Sequence, residues 1–256
     1  MRRDLHHLRP RRPFAAVAFA LLLALMPALS GGPAMAKGED ATPLLQQSAS
    51  AMAAVKSFSF KLTTPKGQST ILDNLELRTV EGAVLRPDRF QASVTVKVAI
   101  AELTIKTIGI GTRLWVTNPL QPGDKFVEAS AGGDSSSSQT LTELLNPDKI
   151  FLQAVSMIQK PVIDGTETID GAETTRVTGT VNLDQLSQFA NVGTPEAATS
   201  MFVLGEKKLT VWIDAGNRVV RLEFAGPLTT NESADVVRRL DLKDFDQPVD
   251  IQAPAV

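Results

Sequence analysis

Apolar and polar residues alternate along much of the chain, and this period of two is typical of β-strands. The clearest segment is residues 90–100, where every second residue is apolar and most of the residues between them are polar. Successive side chains of a strand project to opposite sides, so this strand has one apolar side and one wet side. Similar patterns predict further strands at residues 57–62, within 71–80, and at 103–106, 114–116, 166–169, 174–181, 208–214, 218–224 and 236–242.

The connections between these strands are short and contain residues that favour turns. Asp170-Gly171 predicts a two-residue hairpin turn, and residues 214–217 predict a second turn. Strands that follow one another without a crossover helix pair in the antiparallel direction. The sequence therefore predicts an antiparallel meander with one face exposed to water.

A smaller set of segments has the spacing of amphipathic helices. Residues 44–56 form one such segment, and residues 140–159 form a longer helical block in which Pro147 begins the second helix. A short helix is predicted at 183–189, and the serine-rich residues 130–138 are predicted to form a flexible loop. Helices of this kind cover one face of a sheet, which is the α+β arrangement. The space between them is either packed core or an apolar cavity, and the pattern leaves both open.

The first 36 residues have the three parts of a secretory signal peptide. A basic segment is followed by the apolar residues 14–29, and Ala34-Met35-Ala36 matches a cleavage pattern. The apolar run is shorter than the roughly 20 residues needed to span a bilayer. We therefore predict a leader at residues 1–36 and a single extracytoplasmic domain at residues 37–256. A leader that stays uncleaved and serves as an anchor is the alternative.

The composition removes most of the side chains that carry out chemistry near neutral pH. Apart from His6 and His7 in the leader the chain has no histidine, and it has no cysteine and no tyrosine. It therefore lacks an imidazole for general-base catalysis or metal binding and a thiolate for nucleophilic attack. We predict no catalytic residue, no metal site and no cofactor. Without its basic leader the chain is acidic, which argues against binding to nucleic acid.

Several local patterns have simpler explanations than a functional site. Residues 109–111 lack the third glycine of a dinucleotide-binding fingerprint, and no G-x-S-x-G lipase motif occurs. Four acids between Asp164 and Glu173 do not follow the calcium-loop pattern, and exposed hairpin edges explain them better. Trp115 and Trp212 lie inside apolar strands, which favours packing in the core over a platform for a ligand.

Six segments form an ordered set, and they are residues 53–60, 144–149, 164–171, 175–181, 209–214 and 245–254. This set resembles the LppX/LprA/LprF/LprG lipoproteins of mycobacteria over nearly the whole chain after the leader. The resemblance implies a single strongly curved antiparallel β-sheet, a half-barrel like that of the LolA/LolB carriers. It also implies helices packed on the concave face of the sheet, with an apolar cavity between them that takes the acyl chains of lipids.

One departure from that family bears on localisation. Its members carry a lipobox cysteine that is acylated and anchors them, whereas Ala34-Met35-Ala36 stands in the corresponding place here. We therefore expect a freely diffusing exported protein, or one held by an uncleaved leader, and not a lipid-anchored one.

The alternation and the resemblance together predict which residues line the cavity. On the sheet they are Phe58, Phe60, Leu62, Val94, Val96, Val98, Ile100 and Ile105, and on the helical block they are Ile150, Phe151, Ala154, Val155 and Ile158. We predict a monomeric, non-catalytic carrier or chaperone of the cell envelope that binds an acylated lipid or glycolipid. A membrane transporter is a second candidate partner. The alternative is a structural or protein-interaction module of the envelope, in which the same face is a packed core.

Overall fold

The computed structural model describes residues 36–71, 75–121, 123–129, 155–184, 203 and 205–255. All of these except Ala36 belong to the predicted domain, and all lie within one unit of residues 35–256. The leader itself, the loop at 130–138 and most of the predicted helices at 140–159 and 183–189 lie outside the described residues.

One α-helix and a 12-stranded antiparallel sheet make up the described part of the chain. The helix α1 spans Thr42–Ala54. The strands are β1 Ser57–Lys66, β2 Ser69–Ile71, β3 Leu75–Leu85, β4 Arg89–Val98, β5 Ala101–Ile110, β6 Arg113–Thr117, β7 Phe126–Glu128, β8 Gln159–Ile169, β9 Ala172–Asn182, β10 Glu206–Asp214, β11 Val219–Ala225 and β12 Val237–Lys243. Their order is β7-β6-β5-β4-β3-β1-β12-β11-β10-β9-β8, with β2 paired to β3 outside this path. The sheet is open, because its path ends at β7 on one side and at β8 on the other.

Most of the predicted strands and turns are confirmed. Asp170 (φ 50°) and Gly171 (φ 82°) form the two-residue turn between β8 and β9, where positive φ angles fit the twist of a hairpin. Two boundaries are wrong: the strand expected to reach Ile100 ends at Val98, and Gln159, expected to be helical, begins β8. Strands β2 and β7 were not predicted, because a strand of three residues is too short to show a period.

The strand register places apolar and polar residues on opposite sides of the sheet. Residues paired across antiparallel strands project to the same side of the sheet. The pairing therefore shows which residues of the neighbouring strands lie on the same side as Phe58 and Phe60. This side, which we call the core face, carries most of the buried apolar residues. The other side, which we call the polar face, carries hydroxyl and charged groups such as the ion pair of Lys61 with Glu81. The predicted division into an apolar face and a wet face is confirmed.

Helix α1 packs on the core face and is held at both ends. Its buried residues are Leu44, Leu45, Ser48 and Met52. At its C-terminal end Arg86 donates hydrogen bonds to the carbonyl groups of Met52 and Val55. The Met52 carbonyl also accepts a hydrogen bond from the Val55 N–H at 3.3 Å. At its N-terminal end the Ala41 N–H donates to the Pro161 carbonyl of β8 at 3.0 Å. The helix is thereby fixed against the sheet.

Trp115 and Trp212 are buried, as expected, but they lie on the polar face. Trp115 pairs in register with Glu128, and Trp212 pairs with Arg176. Trp212 donates a hydrogen bond from Nε1 to the Glu167 carboxylate at 2.8 Å. The Arg113 guanidinium lies 4.5 Å from the centre of the Trp115 ring. The expectation that both side chains pack in the protein interior is confirmed, although neither belongs to the hydrophobic cluster that contains α1.

Gly109 on β5 leaves space for the ring of Phe90 on β4. The two residues pair in register, and a Cβ atom on Gly109 would lie 2.1 Å from Cε1 of the ring. Phe90 is buried, so its ring cannot turn away into solvent. We expect Gly109→Val to lower the free energy of unfolding by about 3 kcal/mol, since overpacking of a core costs about 1–3 kcal/mol. Urea unfolding measures this loss.

The effect of Gly109→Val should depend on the size of the side chain at position 90. In a Phe90→Leu background the smaller residue leaves room for valine, so the additional loss should be clearly smaller. Equal losses in the two backgrounds would show that the clash with Phe90 is not the cause.

Candidate functional site

A row of nine apolar residues crosses the core face from β5 to β8. Each residue pairs in register with the next, so the row is continuous across nine strands. The residues, in order, are Ile105, Val94, Val80, Leu62, Leu240, Leu222, Val211, Val177 and Ile163. Aligned cross-strand neighbours contact one another and form one continuous apolar surface.

The row is buried at its β8 end and only half-buried at its β5 end. Ile163, Val177 and Val211 are at most 1% exposed and belong to the same hydrophobic cluster as α1. Toward β5 the side chains keep part of their surface in contact with solvent, and Val80 and Leu240 also pack against that cluster. We call the five residues concerned the half-exposed row: Leu62, Val80, Val94, Ile105 and Leu240. A contiguous apolar surface that is left partly uncovered is a candidate binding surface.

Two members of the half-exposed row were missed by the sequence reasoning. Val80 lies on the same face as Leu77, three residues away, because the pairing of β3 with β4 shifts by one residue at Arg78. Such a β-bulge breaks the alternation from which a face is predicted. Leu240 belongs to a strand far along the chain, and only its pairing with Leu62 brings it to this surface.

The structure brings together only part of the predicted cavity lining. Three predicted residues belong to the half-exposed row, and they are Leu62, Val94 and Ile105. Four others are buried, and they are Phe58, Phe60, Val96 and Val155. Ile158 is partly buried against the hydrophobic cluster. The buried residues are therefore placed to support the surface and not to be its exposed part.

Two further predicted residues, Val98 and Ile100, are not part of this surface. Val98 is 36% exposed at the end of β4, and Ile100 is 99% exposed in the turn that follows. The alternation suggested a common face for them, but the strand ends before Ile100 and the chain turns into β5. Ile150, Phe151 and Ala154 lie outside the described residues.

A groove of about 560 Å³ lies on the polar face, opposite the half-exposed row. Its lining includes Lys61, Glu81, Ser93 and Lys106, and the Lys61 ammonium lies 3.5 Å from the Glu81 carboxylate. Covering such groups with hydrocarbon would remove them from water without new hydrogen bonds, which is unfavourable. This groove is therefore not the predicted apolar cavity, which stays a prediction for the core face.

Two of the four acids weighed as calcium ligands, Asp164 and Glu167 on β8, take part in ion pairs. Asp164 lies 3.2 Å from the ammonium of Lys37 and 3.2 Å from the guanidinium of Arg176, and Glu167 lies 3.4 Å from the same guanidinium. The hydrogen bond from Lys37 lowers the pKa of Asp164 below its ordinary value, and the charge of Arg176 lowers it further. Among the described residues, no group of three or more histidine, cysteine, aspartate or glutamate side chains could hold a metal ion.

An open antiparallel sheet with a helix on its apolar face defines a single-sheet α+β protein. The sequence profile of the LppX_LprAFG lipoprotein family matches residues 40–251, and the chain belongs to this family. The resemblance seen in the sequence is thereby confirmed.

Two solved structures show the same fold. The crystal structure of LprF from Mycobacterium bovis has a TM-score of 0.57 at 19% identity, and the match covers 86% of this chain and 100% of that one. LppX from Mycobacterium tuberculosis has a TM-score of 0.53 at 18% identity, with 82% and 98% covered. A comparison with curated protein sequences found no match.

Proposed function

We propose that the protein is a non-catalytic carrier or chaperone that binds an acylated lipid or glycolipid on the core face. The half-exposed row carries the proposal, because it offers a contiguous hydrocarbon surface wide enough to contact an extended chain. Each buried CH₂ group of such a chain contributes about 0.8 kcal/mol, so a long acyl chain needs no charged contact. Membership in a lipoprotein family supports a lipid-binding role.

The proposed role is to hold the ligand and not to transform it. All five side chains of the half-exposed row are hydrocarbon. The chain has no cysteine, and both of its histidines lie in the leader. A serine or threonine near the ligand would therefore lack the imidazole that usually activates it.

The proposal is tested by native mass spectrometry of the protein purified from its host. We expect a population heavier than the polypeptide, from which organic extraction releases an acylated lipid. Protein that carries no lipid after gentle purification, and instead retains a second polypeptide, would support the alternative of an interaction module with a packed core.

We further propose that the protein is exported and that the leader is cut after Ala36. The residues that follow this position are already part of the fold. The Gly38 N–H donates to the Ile163 carbonyl at 2.8 Å, and the Ile163 N–H donates to the Glu39 carbonyl at 2.9 Å. Cleavage after Ala36 would leave these bonds intact. In the part of the chain that is described, no helix is both long and apolar enough to cross a bilayer.

N-terminal sequencing of the exported protein should therefore begin at Lys37. This start keeps the ion pair between Lys37 and Asp164, in which the charged atoms lie 3.2 Å apart. Recovery of the intact leader in the membrane fraction would show instead that the leader is an anchor.

A further inference from the structure

The tip of the β4–β5 hairpin is apolar and exposed. Four consecutive residues, Val98, Ala99, Ile100 and Ala101, are all exposed, and Ile100 is 99% exposed. Ala99 has a φ of 54°, a left-handed conformation in which a hairpin turn usually has glycine, asparagine or aspartate. A fully exposed isoleucine contributes nothing to the packing of the sheet. The composition of this turn is therefore not explained by the fold.

Charged residues of both signs lie directly behind the tip on the polar face. Lys97 pairs in register with Glu102 on β5 and with Glu76 on β3. The guanidinium of Arg78 lies 2.7 Å from the Glu76 carboxylate and 3.7 Å from that of Glu102. This group contains two positive and two negative side chains, so it carries no net charge. The tip therefore has no electrostatic preference for an anionic surface.

We propose that this apolar tip, residues 98–101, docks the protein on a lipid bilayer by entering the boundary between headgroups and acyl chains. Entry of Ile100 and Val98 into this boundary removes their exposed apolar surface from water, which is favourable in proportion to the area removed. A protein partner fits less well, because a stable protein–protein interface uses about 20–30 residues on each side. This inference goes beyond the proposed function and does not require that the core face holds lipid.

The position of the tip suits loading or release of a lipid at a membrane. Strand β4 continues from Val94 in the half-exposed row to Val98 in the tip, and four residues of strand span about 13 Å. A tip inserted at the headgroup level would therefore hold the half-exposed row just outside the bilayer.

The absence of cysteine from the chain allows a site-specific test. Ile100→Cys, labelled with an environment-sensitive fluorophore, should show a blue shift when phosphatidylcholine vesicles are added to the full chain. The matched control is Val127→Cys, because Val127 is another exposed β-branched apolar residue, at 53%, but lies on β7 away from the tip. No shift at position 100, or equal shifts at both positions, would overturn the proposal. A shift that grows with protein concentration without vesicles would also overturn it, since it would indicate self-association.

A second variant separates docking from cargo binding. With the fluorophore on Ala101→Cys as the reporter, Ile100→Asp should weaken vesicle binding about tenfold, because a charge at membrane depth is costly. Val127→Asp should not weaken it. Ile100→Asp should keep the melting temperature and the bound lipid of the parent, because its side chain is exposed. Unchanged vesicle binding would overturn the docking role, whereas the absence of lipid in both proteins would overturn only the proposed cargo.

Discussion

Replacing Val94 with tryptophan is expected to remove most of the bound lipid from the purified protein and leave the fold intact. Val94 lies within the half-exposed row, between Val80 and Ile105. Its side chain is only half-buried, so an indole can extend over the surface without displacing a packed neighbour. It would occupy the place of about five methylene groups of an acyl chain, at about 0.8 kcal/mol each. Native mass spectrometry and the melting temperature measure the two effects.

Two matched variants test whether this effect belongs to the half-exposed row. Thr95→Trp adds the same ring on the polar face, where Thr95 faces Thr104 across the strands, and it should leave lipid occupancy unchanged. Val96→Trp places the ring at a buried position and should cost about 1–3 kcal/mol of unfolding free energy through overpacking. If Val94→Trp keeps its lipid, or destabilises the protein as much as Val96→Trp, then Val94 packs in the core and does not contact cargo.

Replacing Glu232 with glutamine is expected to lower the free energy of unfolding by about 3 kcal/mol. The Glu232 side chain is 2% exposed and pairs with Arg238. The same carboxylate accepts hydrogen bonds from Ser69 Oγ at 3.0 Å and from the Leu228 N–H at 2.6 Å. It therefore links β2, the segment before β12 and β12 itself. Removing its charge leaves the buried Arg238 guanidinium without a counter-charge, although the guanidinium keeps its hydrogen bonds to Ser69 Oγ and the Gly226 carbonyl. Breaking a buried ion pair in this way costs about 3–5 kcal/mol.

The ion pair of Glu223 with Arg239 provides the control. Its charged atoms are 2.6 Å apart, but its side chains keep 22% and 34% of their surface exposed on the polar face. Glu223→Gln should therefore cost less than about 1 kcal/mol, the usual value of a solvated pair. Urea unfolding of both variants measures the two losses of unfolding free energy. Equal losses would show that burial of the Glu232–Arg238 pair does not increase its contribution to stability.

The same carboxylate predicts how stability depends on pH. Burial alone would raise the pKa of Glu232, but hydrogen bonds from Arg238 and from the Leu228 and Thr229 N–H groups outweigh burial and lower it. The folded protein thus holds this proton more weakly than the unfolded chain does. Its contribution to stability is complete above the ordinary glutamate pKa and is lost as the pH falls through the lowered value. As the pH falls through that range, the free energy of unfolding of the parent should decrease more steeply than that of Glu232→Gln. Parallel curves of unfolding free energy against pH for the two proteins would show that Glu232 does not cause this pH dependence.

Local sequence patterns were sufficient for most of the strands, for several of the turns and for the membership of the family. The alternation at residues 90–98 defines β4 and its apolar side, because the period of two is a property of the extended backbone. Asp170-Gly171 defines a hairpin turn, because few residues accept positive φ angles. The alternation could not locate the end of β4, and Ile100 was placed on the core face although it lies in the turn.

The tertiary structure alone decided which apolar residues remain partly open. Phe60 and Leu62 lie on the same side of one strand, yet Phe60 is 4% exposed and Leu62 is half-buried. Alternation gives both residues the same face, whereas their exposure depends on what packs above them. The bulge at Arg78 and the pairing of β12 with β1 then complete the half-exposed row with Val80 and Leu240. These neighbours come from separate parts of the chain, so a local pattern cannot specify them.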